Sequence, residues 1–149
     1  MIRSNFRGRR RAEKRLRAGL WLLAAAAAFP GAWALLWPRS FFTDFPGLGL
    51  AWVVAQPPFN KHLITDVGAF YLGFAVMFAF AAVRMKRTLT VGLLVGWLVF
   101  SLPHLIFHLG ASDGLSGTDR IVQWAVLGLT VAIPLYLLTS VRKADRHSL

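Results

Sequence analysis

No cysteine occurs in this chain. Disulfides, thiolate metal sites, iron–sulfur clusters and cysteine nucleophiles are thereby excluded, and the redox compartment is left open. Acidic residues are scarce too, six against seventeen lysines and arginines, which gives a formal charge of +11. There is no internal repeat, P-loop, dinucleotide fingerprint, GxSxG elbow or HExxH pair. So large a charge raises the question of nucleic acid. Single-strand binders, however, interleave aromatic stacking residues with their cations, and the basic run Arg3–Arg17 contains only Phe6. Nucleic acid is therefore not an expected partner.

What the chain has in abundance is apolar sequence: 56% of its residues are hydrophobic, with a mean hydropathy of +0.55. They fall into blocks of about 20, the length a helix needs to cross roughly 30 Å of hydrocarbon. Four spans are expected: Ala18–Trp37, Leu63–Val83, Leu89–Leu109 and Ile121–Val141. The expected fold is all-α, a polytopic four-transmembrane-helix bundle. A basic N-terminal segment (1–17) precedes a membrane domain (18–141), which contains a long outer loop (38–62), and a basic tail (142–149) follows.

Charge then fixes the orientation. Eight lysines and arginines precede the first span, three lie in the 84–87 turn and three in the tail, whereas the other side holds only Arg39, Lys61 and Arg120. By the positive-inside rule both termini are cytoplasmic, in a multi-pass protein of the plasma membrane. Arg3–Arg17 is then a topogenic segment drawn to anionic lipid headgroups, at about 1 kcal/mol per basic residue near the surface. Ala32-Trp33-Ala34 resembles a signal-peptide cleavage site, but the apolar run continues through Leu35, Leu36 and Trp37, as a span does.

Within this frame the second and third spans form an antiparallel hairpin about the basic turn. Trp21, Trp37, Phe41, Phe42, Trp52 and Trp124 suit an interfacial aromatic belt. Pro30, Pro103 and Pro134 each remove a backbone donor inside a span. Gly92 and Gly96 form a GxxxG that permits close helix contact. In the outer loop, the apolar stretch Leu48–Ala55 is too short to span and reads either as an interfacial or re-entrant element lying over the outer mouth of the bundle or as a simple connector. Thr118 or Asp119 is the expected N-cap of the fourth span.

One set of side chains could carry chemistry. His62 and Asp66 are spaced i, i+4 at the start of the second span, and His104 and His108 at the end of the third, so each pair shares a helix face. In an antiparallel hairpin, residues equidistant from the turn are level. The midpoints of Asp66 with His104 and of His62 with His108 both fall on Met85. The expectation is a metal site in the outer leaflet with His62, Asp66, His104 and His108 as ligands and Thr65 and Gln123 in support. Asp44 is either a further ligand or a turn residue, and His147 belongs to a solvated tail. Nitrogen and oxygen donors suit zinc, copper(II) or iron, a divalent transition metal, and not copper(I), which prefers sulfur. An ionisable group within a span also argues for a purpose, because it costs about 2.5–3.5 kcal/mol at mid-membrane and normally faces a partner or cavity.

The stretches Phe41–Gly47, Asn60–Gly68 and Pro103–His108 resemble those of small, uncharacterised four-helix integral membrane proteins of actinobacterial type. The resemblance implies the architecture and the candidate site, with no activity to carry over. Two functions follow from the residues: a membrane-embedded metal-binding protein, with or without catalysis, and a non-catalytic accessory or scaffold subunit that docks a membrane partner or another copy of itself. A transporter ranks third, since four helices are few for a carrier.

Overall fold

A computed structural model describes residues 2–145 of the chain, and side chains at residues 8 and 10–141. Arg146 and His147 of the tail lie outside the described residues. The chain is all-α apart from one small hairpin: α1 (Ile2–Leu36), α2 (Pro38–Asp44), β1 (Pro46–Gly47), β2 (Leu50–Ala51), α3 (Lys61–Arg84), α4 (Arg87–Gly110) and α5 (Gly117–Asp145). Four helices are long and apolar enough to cross a membrane, the shortest having 24 residues, which makes this a membrane protein. At about 1.5 Å per residue such a helix reaches roughly 36 Å, enough for the hydrocarbon layer. α1 is continuous from the basic segment into the first span.

Helix boundaries follow local chemistry. The Asn60 side chain accepts from the Leu63 N–H at 3.0 Å and starts α3. At its other end Met85 is left-handed (φ 49°) and its N–H bonds the Ala81 carbonyl, so the basic turn needs only Met85 and Lys86. α5 starts earlier than the expected Thr118 or Asp119 cap. Ser116 fills that role, its Oγ accepting from the Asp119 N–H at 3.1 Å.

Buried positions recur at alternating steps of four and three on every long helix, the spacing that keeps one stripe facing a common axis. On α1 the stripe is Leu20, Ala24, Ala27, Gly31 and Ala34; on α3, Ile64, Gly68, part-buried Tyr71, Ala75, Phe78 and Ala82. The α1 stripe is mostly small residues and the α3 stripe contributes Gly68, Ala75 and Ala82, and α1 and α3 are the closest helix pair. A Cβ placed on Gly68 would stand 2.6 Å from the Leu35 nitrogen, and one on Gly31 would stand 2.9 Å from the Leu72 nitrogen. The two backbones themselves are in contact there, as small-residue packing in membranes permits. By contrast, Gly92 and Gly96 are exposed with nothing within 4 Å of an added Cβ, so the GxxxG of α4 makes no contact within the bundle.

α4 pairs with α5, while α3 meets α4 through a layer of rings. Phe70 and Phe100 lie 5.4 Å apart, Phe74 and Trp97 5.1 Å, and Phe78 and Trp97 5.3 Å, mostly edge to face. The antiparallel register about Met85 therefore holds, but α3 lies tightest on α1 rather than on its hairpin partner. Trp97 has a second role. Pro134 has no N–H for the Thr130 carbonyl one turn back, and the Trp97 indole N–H donates to that oxygen at 2.9 Å. Trp97→Phe is thus expected to destabilise the protein by about 1–3 kcal/mol. In a Pro134→Ala background, where the helix supplies its own donor, the loss should be smaller. A thermal-denaturation double-mutant cycle measures the difference.

The loop between α2 and α3 forms a lid, and its turn is unusual. Leu48 and Gly49 both have positive φ (59° and 82°), as a two-residue primed hairpin requires. Trp52, inside this loop, is buried and packs edge to face on Phe45 at 6.1 Å. Phe41 and Phe42 are buried as well, so of the expected belt only Trp21 and Trp37 stand exposed, with Trp124 part-buried. The Gln56 side chain donates to the Ala111 carbonyl at 2.6 Å, and Ala55 lies against Gly114. The loop thereby reaches from the α1–α3 pair across to the α4–α5 connection and caps that end of the bundle, hereafter the loop end.

Candidate functional site

The stripe logic that builds the core also decides where each candidate ligand goes. On α4 the buried stripe is Thr90, Leu94, Trp97 and Ser101, and the next two positions at the same spacing are His104 and His108. Both imidazoles are partly buried. They meet edge to face with centroids 4.7 Å apart, and His104 stacks on Phe100 at 5.4 Å. On α5 the stripe is Gln123, Leu127, Thr130, Pro134, Leu137 and Val141. The bond from the Trp124 indole N–H to the His108 carbonyl at 3.1 Å, together with the Trp97–Thr130 bond, sets the register. Gln123 is consequently level with the two histidines.

His62 and Asp66 are different. Asp66 is two residues from both Ile64 and Gly68 of the α3 stripe, and two residues turn a helix by about 200°. It therefore points away from the axis, and so does His62. Their side chains are 87% and 60% exposed and pair with each other at 3.2 Å. The four expected ligands do not form one cluster, and no group of three or more His, Asp or Glu side chains suited to a metal ion occurs among the described residues. The midpoint rule sets height along the helix and leaves rotation about its axis open, which is why level residues end up on unrelated faces. Thr65 donates to the Lys61 carbonyl at 2.8 Å, an ordinary intrahelical bond. Asp44 ends α2 and accepts from the Ser40 hydroxyl at 2.9 Å.

What remains together at the loop end is a polar stretch within an apolar bundle. Ser101 and Gln123 are 1% and 2% exposed. Ser101 Oγ, His108 Nδ1 and Gln123 Oε1 are all buried without a hydrogen-bond partner among the described residues. Leaving such a group unsatisfied costs about 1–3 kcal/mol, and lipid offers no compensation. Two imidazoles, a carboxamide oxygen and a hydroxyl are lone-pair donors that suit a cation or ordered water. Ser101 had no signal of its own in the sequence, but its place in the four-and-three spacing with Trp97, His104 and His108 identifies it. Part-buried Arg120, whose Nε is also without a hydrogen-bond partner among the described residues, stands one turn before Gln123 and donates through its guanidinium to the Leu115 carbonyl.

No family model, curated protein or solved structure matches this chain. The functional reading rests on the geometry alone.

Proposed function

We propose that this protein is a membrane-embedded binding protein whose site is the polar stretch Ser101, His104, His108 and Gln123 at the loop end of α4 and α5. One observation carries this reading: three buried polar atoms, in the loop-end half of the interior stripes of two adjacent helices, lack hydrogen-bond partners among the described residues. The ligand is a divalent transition metal, zinc, copper(II) or iron. His104 and His108 would hold it, Gln123 and Ser101 would contribute or orient oxygen donors, and water would complete the sphere. His62 and Asp66, paired on the far face of α3, take no part in this site.

A second reading is favoured by a different observation. His104 stacks on Phe100 as a packing ring would, and among the described residues no third imidazole or carboxylate is gathered beside the pair. On that reading the protein is an accessory subunit whose polar residues hold the bundle. Metal analysis of the purified protein separates the two. About one equivalent of transition metal supports the site, whereas metal-free protein that takes none up on titration supports the accessory role.

The orientation belongs to the same proposal: the basic end is cytoplasmic and the loop end faces outward. The first turns below the span, carrying Lys14, Arg15 and Arg17, sit where anionic headgroups attract cations. Because the chain has no cysteine, single replacements serve directly as reporters. In intact cells Asp113→Cys should react with a membrane-impermeant maleimide and Lys86→Cys should not. The reverse pattern would invert the topology.

A further inference from the structure

A second feature of the loop end lies apart from the histidines. Between the end of α1, α2 and the start of α3 is an open cleft of about 590 Å³. Trp37, Arg39, Asp44, Phe59 and Lys61 line it. It lies where two spans, Arg10–Leu36 and Lys61–Arg84, give way to water, which is the level of lipid headgroups. Exposed Trp37 is the kind of residue that marks this level.

The charges in the cleft are placed by contacts. The Arg39 guanidinium stands 4.9 Å from the centroid of the Phe59 ring, a cation–π contact that fixes its position. Lys61 is the exposed first residue of α3. Neither cation has a carboxylate partner among the described residues. Asp44 is held by a relay in which the Trp33 indole N–H donates to Ser40 Oγ at 3.2 Å and that hydroxyl donates to Asp44 at 2.9 Å. The cleft therefore offers two cations without a carboxylate partner among the described residues, Arg39 from α2 and Lys61 from α3, together with a tethered carboxylate, Asp44 at the end of α2, and the aromatic surface of Trp37 and Phe59.

We propose that this cleft binds a phosphodiester that also carries an ammonium, the chemistry of a phosphoethanolamine headgroup. Arg39 and Lys61 take the phosphate oxygens. Asp44, which would repel a purely anionic headgroup, takes the ammonium. A cleft for anionic lipid alone would have no use for a fixed carboxylate beside its cations.

The test uses the full-length protein in nanodiscs of mixed phosphatidylethanolamine, phosphatidylglycerol and phosphatidylcholine, with bound lipid read by native mass spectrometry. Phosphatidylethanolamine should be retained above its bulk fraction. The Arg39→Ala/Lys61→Ala variant should lower that excess by about tenfold or more. Asp44→Asn should move the preference to phosphatidylglycerol, which also shows that the variant is folded and binding. Displacement by millimolar free phosphoethanolamine would support the same chemistry from a soluble source, and resistance to it would assign the site to lipid. Bound lipid in bulk proportions, or an excess that neither variant changes, would overturn the proposal.

Discussion

Gly68→Leu should abolish recovery of folded protein from detergent, and Gly68→Ala should lower its melting temperature by roughly 3–10 °C. The cause is backbone proximity. An added Cβ at this position would stand 2.6 Å from the Leu35 nitrogen and 3.0 Å from the Gly31 carbonyl oxygen, neither of which can rotate away as a side-chain tip could. Relief requires α1 and α3 to separate, and Ala24 and Ala27, which share one core cluster with Ala75 and Ala82, then lose their packing in turn. Overpacking of this kind costs about 1–3 kcal/mol for a methyl and more for a larger group. The control is on α4. Gly92→Ala and Gly96→Ala place their methyls in open space and add helix propensity, so their melting temperatures should stay within about 2 °C of the parent or rise. Equal losses at all three glycines would mean that α1 and α3 are not the tight pair.

The same comparison shows what could be read from the chain directly. Helix number and approximate limits were legible because hydrocarbon thickness imposes a run length: three expected spans lie inside α3, α4 and α5, and the first, Ala18–Trp37, runs one residue past the end of α1 at Leu36. The register of α3 against α4 was legible as well, since a two-residue turn leaves little freedom, and Phe70 does meet Phe100. The choice of neighbours was not. A short connection makes α3 and α4 adjacent, but the tightest contact goes to the faces with the smallest side chains, and Ala24, Ala27, Gly31 and Ala34 form such a face on α1. The familiar GxxxG pattern drew attention to Gly92 and Gly96, whereas the heptad-spaced small residues were the ones in use. The hairpin at Leu48-Gly49 was hidden for a different reason. Leucine rarely occupies a positive-φ turn position, and no Asn-Gly or Asp-Gly marks it.

Of the four expected ligands, only His104 and His108 face the interior together. His104 and His108 continue the buried stripe of α4, so they face inward for the same reason that Trp97 and Ser101 do. His62 and Asp66 fall between the stripe positions of α3 and face outward. Counting four-and-three steps from the buried core separates the two cases, and counting residues from the turn does not. Gln123 belongs to the inward set by the same count on α5.

The second large effect follows from that division. Replacing both His104 and His108 by alanine should reduce metal content at least 100-fold while leaving membrane insertion intact, because shortening a polar side chain does not weaken an apolar span. Gln123→Leu should weaken binding by about 10–100-fold, as losses of supporting ligands typically do. Binding should also weaken as pH falls through the imidazole range, since protons compete for the same lone pairs. His62→Ala and Asp66→Ala should change neither quantity.

Electron paramagnetic resonance of the purified protein carrying one equivalent of copper(II) tests the site most directly, because nitrogen couplings count the imidazoles bound. Two coordinated imidazole nitrogens are expected in the parent and in His62→Ala, and one in either His104→Ala or His108→Ala. A copper spectrum free of nitrogen coupling, or one that changes with His62 and not with His104 or His108, would contradict the assignment of the site to the interior of α4 and α5.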